Sequence, residues 1–158
     1  MSQLSNYTFD EITIGQSALY SKTVTDQDVQ MFAAVSGDVN PLHLDADFAA
    51  NTRFGERIAH GMLTASFVSA ALAMELPGPG CIFMEQSLKF RLPVKIGDEI
   101  EVRLEVTDKN DRRKSVTLDC KAYNSDEKLV LTGTSVVIAP AEKLSLPYPK
   151  APEFQLLG

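Results

Sequence analysis

The stretch HGMLTASFVSAALAME, residues 60–75, decides how the rest of the chain must fold. It carries no charge from Gly61 to Met74, is apolar on nearly every side and is rich in alanine and serine. A helix of this kind has no face suited to water, so it must lie inside the protein. It is too short to span a membrane, which takes about 20 apolar residues, and LPGPG at 76–80 ends it. We therefore predict one long buried helix.

The chain after this helix predicts an antiparallel sheet. Between residues 99 and 106, aliphatic residues alternate with charged ones, which is typical of a strand with one buried face. Turn-forming stretches at 95–99, 108–114 and 124–128 separate the runs of β-favouring residues. The four predicted strands are Ile82–Phe90, Glu99–Val106, Ser115–Ala122 and Lys128–Ile138. The expected fold is α+β, with this meander wrapped around the buried helix.

The residues before the buried helix predict shorter elements. Strands or extended chain are expected at 12–23 around a turn at Gly15. Thr25 is placed to begin a helix over 26–36, and Gly37 is placed to end it. A helical turn is expected at 47–51. After Ala139 four prolines predict an extended tail, so the chain divides into one domain, 1–139, and a proline-rich tail, 140–158.

Composition excludes several classes of protein. A length of 158 residues suits one domain, and a net charge of −6 argues against a nucleic-acid partner. Cys81 and Cys120 lack the spacing of a disulfide framework, and we expect free thiols in a cytoplasmic protein. The first residues resemble no signal peptide, and no membrane association is expected. No phosphate-binding loop or dinucleotide motif is present.

The stretch SGDVNPLHLD, residues 36–45, contains one of the two histidines of the chain. Asp38 and His43 would point about 140° apart in a helix, but Gly37 and Pro41 prevent a continuous helix. A turn can instead bring a carboxylate and an imidazole to face one water molecule, between two groups able to exchange protons. Each residue alone is more often structural: the aspartate as a turn former, the histidine as a hydrogen-bonded core residue.

Two further stretches bear on this interpretation. In AHGM, residues 59–62, the first backbone amides of the buried helix lack internal partners, and Gly61 lets a ligand approach them closely. Such a position can receive a carbonyl oxygen that gains negative charge, although simple helix initiation explains the pattern equally. FRLPVKIGDEI, residues 90–100, has the form of a strand followed by a turn.

Together, SGDVNPLH, AHGM and FRLPVKIGD resemble the MaoC-like hydratases, specifically the short (R)-specific enoyl-CoA hydratases. The Gly-Asp-x-Asn-Pro-Leu-His core is the hydratase 2 motif of that family. The resemblance covers about residues 12–138 and gives the tail no role. It implies a hot dog fold, in which a curved antiparallel sheet wraps one long helix. It also implies a homodimer joined through sheet edges, with a substrate tunnel near the subunit interface.

The resemblance assigns roles by motif position. Asp38 and His43 become the catalytic acid–base pair, although it does not tell which is acid and which is base. Asn40 supports the loop, the backbone N–H of Gly61 is the expected oxyanion donor, and Ser69 matches a polar position lining such sites. The implied reaction is hydration of a trans-2-enoyl-CoA to a (3R)-3-hydroxyacyl-CoA, within fatty acid metabolism or the supply of polyhydroxyalkanoate precursors.

No cofactor or metal is expected, because two histidines far apart in sequence without clustered cysteines make a poor metal set. The coenzyme A handle of the substrate must then meet scattered basic residues, each of which is more often a solvated surface charge. The candidates are Arg53, Arg57, Lys89, Arg91 and Lys95.

Three alternatives share the same expected fold. A (3R)-hydroxyacyl-acyl-carrier-protein dehydratase would run the reverse chemistry on another carrier. A non-catalytic acyl-thioester-binding protein is disfavoured by the intact Asp38, Asn40 and His43, and a thioesterase by the hydratase 2 motif. The sequence does not indicate the length of the acyl chain.

Overall fold

The computed structural model describes residues 2–158 and contains seven strands and four helices within them. We number the elements in chain order. The strands are β1 Gln3–Ser5, β2 Ser17–Thr23, β3 Ile82–Phe90, β4 Glu99–Asn110, β5 Ser115–Tyr123, β6 Leu129–Ile138 and β7 Ser145–Pro147. The helices are α1 Asp26–Ser36, α2 Pro41–Leu44, α3 Ala46–Ala50 and α4 Gly61–Met74.

Five strands form one antiparallel sheet in the order β2-β4-β5-β6-β3, and α4 packs on it. The apolar residues of β4 are at most 1% exposed, as their alternation predicted. They form one core with the buried side chains of α4, among them Phe67, Val68 and Leu72. The predicted α+β architecture, a hot dog fold with one long helix against a curved sheet, is confirmed.

One predicted strand end was clearly wrong. Strand β4 continues to Asn110 instead of ending at Val106, because an irregularity between Val106 and Asp108 lets polar residues pair with β5. The turn itself occupies only residues 111–114. On the N-terminal side the prediction for 12–23 is confirmed: Gly15 turns the chain with φ of 91°, and Ser17–Thr23 forms a strand.

The ends of α1 are as predicted. The Thr25 hydroxyl accepts a hydrogen bond from the Asp28 N–H, and the Asp28 carboxylate accepts one from the Thr25 N–H. Partial burial pushes the pKa of Asp28 upward, but hydrogen bonds from Thr25 and Lys22 hold it below its ordinary value. At the other end Gly37 adopts the left-handed conformation, with φ of 80°, that a glycine cap requires.

Helix α4 is less enclosed than predicted. Its sheet-facing side is buried, but one face remains exposed along the helix in the single chain. This face comprises Met62, Ser66, Ser69 and Ala73. The expectation of burial on nearly every side is therefore wrong for the single chain, because the sheet covers only one side of the helix.

The predicted tail is tied to the start of the chain. Strand β7 pairs with β1 in a separate two-stranded sheet. The buried side-chain amide of Asn6 donates to the carbonyls of Pro79 and Glu142, and its oxygen accepts from the Leu144 N–H. The proposed boundary between residues 139 and 140 stays a prediction.

Both cysteines are free thiols, as expected. Cys120 is fully buried, and that burial raises its pKa to about 11, so the thiol stays protonated at neutral pH. Among the helices of residues 2–158, none combines the length and apolar character that crossing a bilayer requires.

Candidate active site

The loop between α1 and α2 holds the Asp38 carboxylate by local hydrogen bonds. The Asp38 N–H donates to Ser36 Oγ over 3.1 Å, and Asp38 Oδ1 accepts the Asn40 N–H over 3.2 Å. Asn40 in turn begins α2, since its Oδ1 accepts the Leu42 N–H over 3.1 Å. This turn keeps Asp38 Oδ2 available to a neighbour. Asn40 therefore connects the Asp38 loop to the start of α2, and the supporting role that the resemblance implies for it stays a prediction.

His43 faces this carboxylate from α2. Its Nδ1 lies 2.8 Å from the Ile58 carbonyl oxygen, and a carbonyl only accepts, so Nδ1 carries the proton of the neutral ring. The unprotonated Nε2 then lies 3.9 Å from Asp38 Oδ2. That gap is too long for a direct hydrogen bond, but one water molecule can contact both atoms. The imidazole is 8% exposed, whereas the Asp38 side chain is about half exposed.

Arg57 forms hydrogen bonds that hold α2, which carries His43, against α1. Its Nε donates to the His43 carbonyl oxygen over 2.7 Å, and its Nη2 donates to Asp26 Oδ1 over 2.7 Å. The guanidinium therefore connects α2 to the first turn of α1. This placement engages the cation within the protein and favours a supporting role over contact with coenzyme A.

Gly61 is the first residue of α4, so its backbone N–H has no partner within the helix. A cavity of about 280 Å³ contains this residue together with the acid–base pair. Its lining consists of Phe32, Ser36, Asp38, His43, His60, Gly61, Met62 and Phe90. The structure thus brings Asp38, His43 and Gly61, separated in sequence, to one open cavity.

A second cavity of about 260 Å³ adjoins the first, since Gly61 and Phe90 line both. Its walls are mainly apolar, and Arg53 and Arg91 also line it. The Phe90 ring lies against Gly61 so closely that a Cβ on the glycine would come within 2.9 Å of it. Gly61 and Phe90 therefore lie between the space at Asp38 and His43 and a cavity lined by two guanidinium groups.

The remaining predicted residues lie elsewhere. Ser69 is on the exposed face of α4 and lines neither cavity. Lys89 is exposed on β3 and Lys95 pairs with Glu56 over 3.2 Å; neither lines these two cavities. Of the five basic candidates for contact with coenzyme A, only Arg53 and Arg91 line the adjoining cavity.

A poor metal set was expected because the two histidines are far apart in sequence. That reason is wrong, since the fold brings the two histidines together. The rings of His43 and His60 stack with centroids 3.9 Å apart, and a ligand atom of each lies within 4.8 Å of one on Asp38. Stacking opposes shared metal binding, however, because a metal lies about 2.0–2.1 Å from each nitrogen and in the plane of each ring. Because the two imidazole rings are nearly parallel, their nitrogen lone pairs point side by side and do not converge on one metal ion.

Three residues of the site were not predicted from the sequence. His60 was considered only as the residue preceding a helix, and Phe90 only as part of a strand. Thr64 lies one turn into α4, lines the adjoining cavity and is 2% exposed. Its hydroxyl has no hydrogen-bond partner among residues 2–158. The sequence signal for His60 was its place directly before Gly61, and Phe90 stood at the start of the FRLPVKIGD stretch, whereas nothing in the sequence pointed to Thr64.

Comparison with known proteins agrees with this geometry. Residues 11–126 match the family model of the MaoC-like domain. An (R)-specific enoyl-CoA hydratase from Rhodospirillum rubrum is 44% identical over 133 residues, which is 84% of this chain and 92% of that protein. The unliganded R-hydratase PhaJ1 from Pseudomonas aeruginosa superposes with a TM-score of 0.93 at 45% identity, covering 98% of this chain and 99% of the other.

The (R)-hydratase from Aeromonas caviae, described as involved in PHA biosynthesis, superposes with a TM-score of 0.79 at 44% identity. The match covers 82% of this chain and 98% of that one. The fold and these relatives define a hydratase-type hot dog domain. The chain belongs to the MaoC-like family.

Proposed function

We propose that the protein hydrates trans-2-enoyl-CoA to (3R)-3-hydroxyacyl-CoA, reversibly. The observation that carries the proposal is the placement of Asp38 Oδ2 and His43 Nε2, 3.9 Å apart, in one cavity with the first amide of α4. The 44–45% identity to proteins named (R)-specific hydratases supports the same reaction.

Water addition needs a group that takes a proton from water and a group that delivers one to carbon. A water molecule between Asp38 Oδ2 and His43 Nε2 can donate to both, because each atom has a free lone pair. As the oxygen of the water bonds to the β-carbon, the water gives one proton to the pair, and the pair passes that proton to the α-carbon, which restores its initial state. The two groups interact closely, so we treat them as one acid–base unit.

Attack on the β-carbon becomes easier when negative charge on the thioester oxygen is stabilised. The Gly61 N–H is the proposed donor, because it begins α4 and lines the cavity that holds the pair. The positive end of the helix dipole adds to this effect. Preorganised donors of this kind typically contribute about 10² to 10³ in rate.

The adjoining cavity fits the other end of the substrate. Its apolar walls suit the uncharged part of the handle, and Arg53 and Arg91 suit the phosphates of coenzyme A. No resident metal or cofactor takes part in this proposal. We also propose a cytoplasmic location. A supply of (3R)-hydroxyacyl units for polyester synthesis is a further proposal, supported by the similar hydratase from Aeromonas caviae, which is involved in PHA biosynthesis.

Hydration of crotonyl-CoA by the purified protein tests this function. We expect loss of the enoyl absorbance and a product of (3R) configuration by chiral analysis. An (S) product, or no hydration by the folded protein, would contradict the proposal. Crotonyl-acyl-carrier protein should be assayed in parallel, since faster reaction on that carrier would favour the dehydratase alternative. Release of free thiol from a saturated acyl-CoA would instead indicate a thioesterase.

We further propose that the protein acts as a homodimer formed through β3. This strand is an edge of the sheet and exposes large apolar side chains, with Phe83 42% and Met84 56% exposed. An open apolar edge is a ready pairing surface for another chain. A partner placed there could also cover the exposed face of α4, which would explain why that face is so poor in charge.

A charge on this edge should therefore weaken assembly. We expect the unmodified protein to sediment at about twice 17.3 kDa and Met84→Asp to shift toward the monomer, because burial of an unpaired carboxylate is costly. Leu19→Asp is the matched control, since Leu19 is 59% exposed on β2, the opposite edge. Analytical ultracentrifugation measures both. Equal effects of the two substitutions, or a fully active wild-type monomer, would count against the β3 interface.

A further inference from the structure

We propose that His60 is a positioning residue that holds both members of the acid–base pair in register. The inference rests on the proposed hydratase function. His60 is the last residue before α4, is 2% exposed and contacts both residues of the pair through two different parts of its side chain. No cap hydrogen bond to the helix uses the side chain, so it serves another purpose.

The first contact is a hydrogen bond to the Asp38 loop. His60 Nε2 lies 3.0 Å from the backbone carbonyl oxygen of Asp38, and only a protonated nitrogen can bond to it. This bond holds the main chain that carries the catalytic carboxylate. Asp38 itself is half exposed, and its other bonds lie within its own loop. His60 is thus the long-range anchor of this segment.

The second contact is the stack on the catalytic imidazole. The His43 and His60 rings lie 3.9 Å apart at 26°, and Phe32 packs against His60 with centroids 4.9 Å apart. The stack limits tilting of His43 and keeps its Nδ1 on the Ile58 carbonyl and its Nε2 toward Asp38. One buried ring therefore restrains the orientation of one catalytic group and the main chain of the other.

The effect of His60 on stability also supports a positioning role. With the proton on Nε2, Nδ1 of the neutral ring is an acceptor, and it is buried without a partner among residues 2–158. An unsatisfied buried polar atom destabilises the folded state. A phenylalanine would fill the same space without that cost. Imidazole at this position is best explained by a need for a ring and an N–H donor together.

Two substitutions separate these features. His60→Phe keeps the stacked ring and loses the donor, whereas His60→Gln keeps an N–H donor and loses the ring. We expect each to lower kcat by about tenfold to 10²-fold, the scale of a misplaced catalytic group. KM should remain near the wild-type value, because His60 supports the pair and does not bind the handle. The melting temperature of His60→Phe should change little, since loss of the bond to the Asp38 carbonyl opposes removal of the unpartnered nitrogen.

A double substitution tests whether His60 acts through the acid–base pair. In a His43→Asn background, His60→Phe should cause little further loss, because residues that act as a unit are strongly non-additive. Ser135→Ala is the control for burial alone: Ser135 is also fully buried but lies on β6 outside the two cavities, so its removal should affect stability and not kcat. A folded His60→Phe protein with wild-type kcat, or one altered only in KM, would overturn the proposal.

A measurement independent of turnover separates this inference from the proposed function. Nitrogen-15 NMR of the imidazoles should show His43 protonated on Nδ1 in the wild type and a mixture of tautomers in His60→Gln. If the wild type failed to hydrate crotonyl-CoA, the proposed function would fall, and the NMR comparison would still decide whether His60 orders His43. An unchanged His43 tautomer in folded His60→Gln would refute that ordering.

Discussion

Asp38→Asn and His43→Asn should each reduce kcat for crotonyl-CoA hydration by about 10² to 10⁴, the usual effect of losing a general acid or base. Asp38→Asn retains an oxygen that can accept the Asn40 N–H. In His43→Asn, the introduced side-chain amide can replace the Nδ1–H that donates to the Ile58 carbonyl. Both changes thus remove proton exchange while keeping local hydrogen bonds. His43→Ala, which removes the whole ring, should lose at least as much.

The matched control for the aspartate is Asp47→Asn, which makes the same chemical change in the exposed first turn of α3. It should leave kcat near the wild-type value. Circular dichroism and sedimentation verify that each variant is folded and assembled before its kinetics are interpreted. If folded Asp38→Asn or His43→Asn protein keeps near-normal kcat, the role assigned to the substituted residue is wrong.

Gly61→Pro should lower kcat by about 10² to 10³, equivalent to roughly 2.7–4 kcal/mol, because it removes the proposed oxyanion donor. A proline in the first helical turn removes an N–H that the helix itself does not use. The preceding His60 already has φ of −59° and ψ of 137°, a conformation that a following proline favours. Gly61 is also absent from the residues with positive φ, so proline meets no such obstacle.

The control for this variant is Gly61→Ala. Any Cβ at position 61 comes within 2.9 Å of the Phe90 ring, which must move aside in both variants. Phe90 is 52% exposed, which leaves its side chain room to rotate. The difference in kcat between Gly61→Ala and Gly61→Pro therefore measures the contribution of the backbone N–H at position 61. Equal kcat values in two folded variants would remove Gly61 from the oxyanion site.

Local sequence predicted the parts of the site that are built locally. Asp38 and His43 lie close together because Gly37 ends one helix and Asn40-Pro41 begins another, and both signals can be seen in the residues themselves. The buried face of β4 was predictable for the same reason, since alternation is a property of consecutive residues. The extension of that strand to Asn110 was not, because polar residues beyond an irregularity look like a turn.

The contacts that complete the site depend on distant elements. His60 reaches His43 only after the chain has passed through α3, and Phe90 comes from β3, on the far side of α4 in sequence. Arg57 could be recognised as a nearby cation, but its bonds to Asp26 and the His43 carbonyl depend on tertiary packing. The sequence therefore pointed to the proposed reacting groups more readily than to the residues that contact them.

The pairing of β1 with β7 has a mechanical consequence. Gln3 lies opposite Pro147, so the outer ends of these two antiparallel strands are side by side. A pulling force on the two chain ends would open the three pairs one after another, as a zipper opens, instead of shearing them together. The five-stranded sheet and the cavity beside α4 would carry little of that force. A force applied between the two chain ends should consequently separate β1 from β7 before it distorts the site.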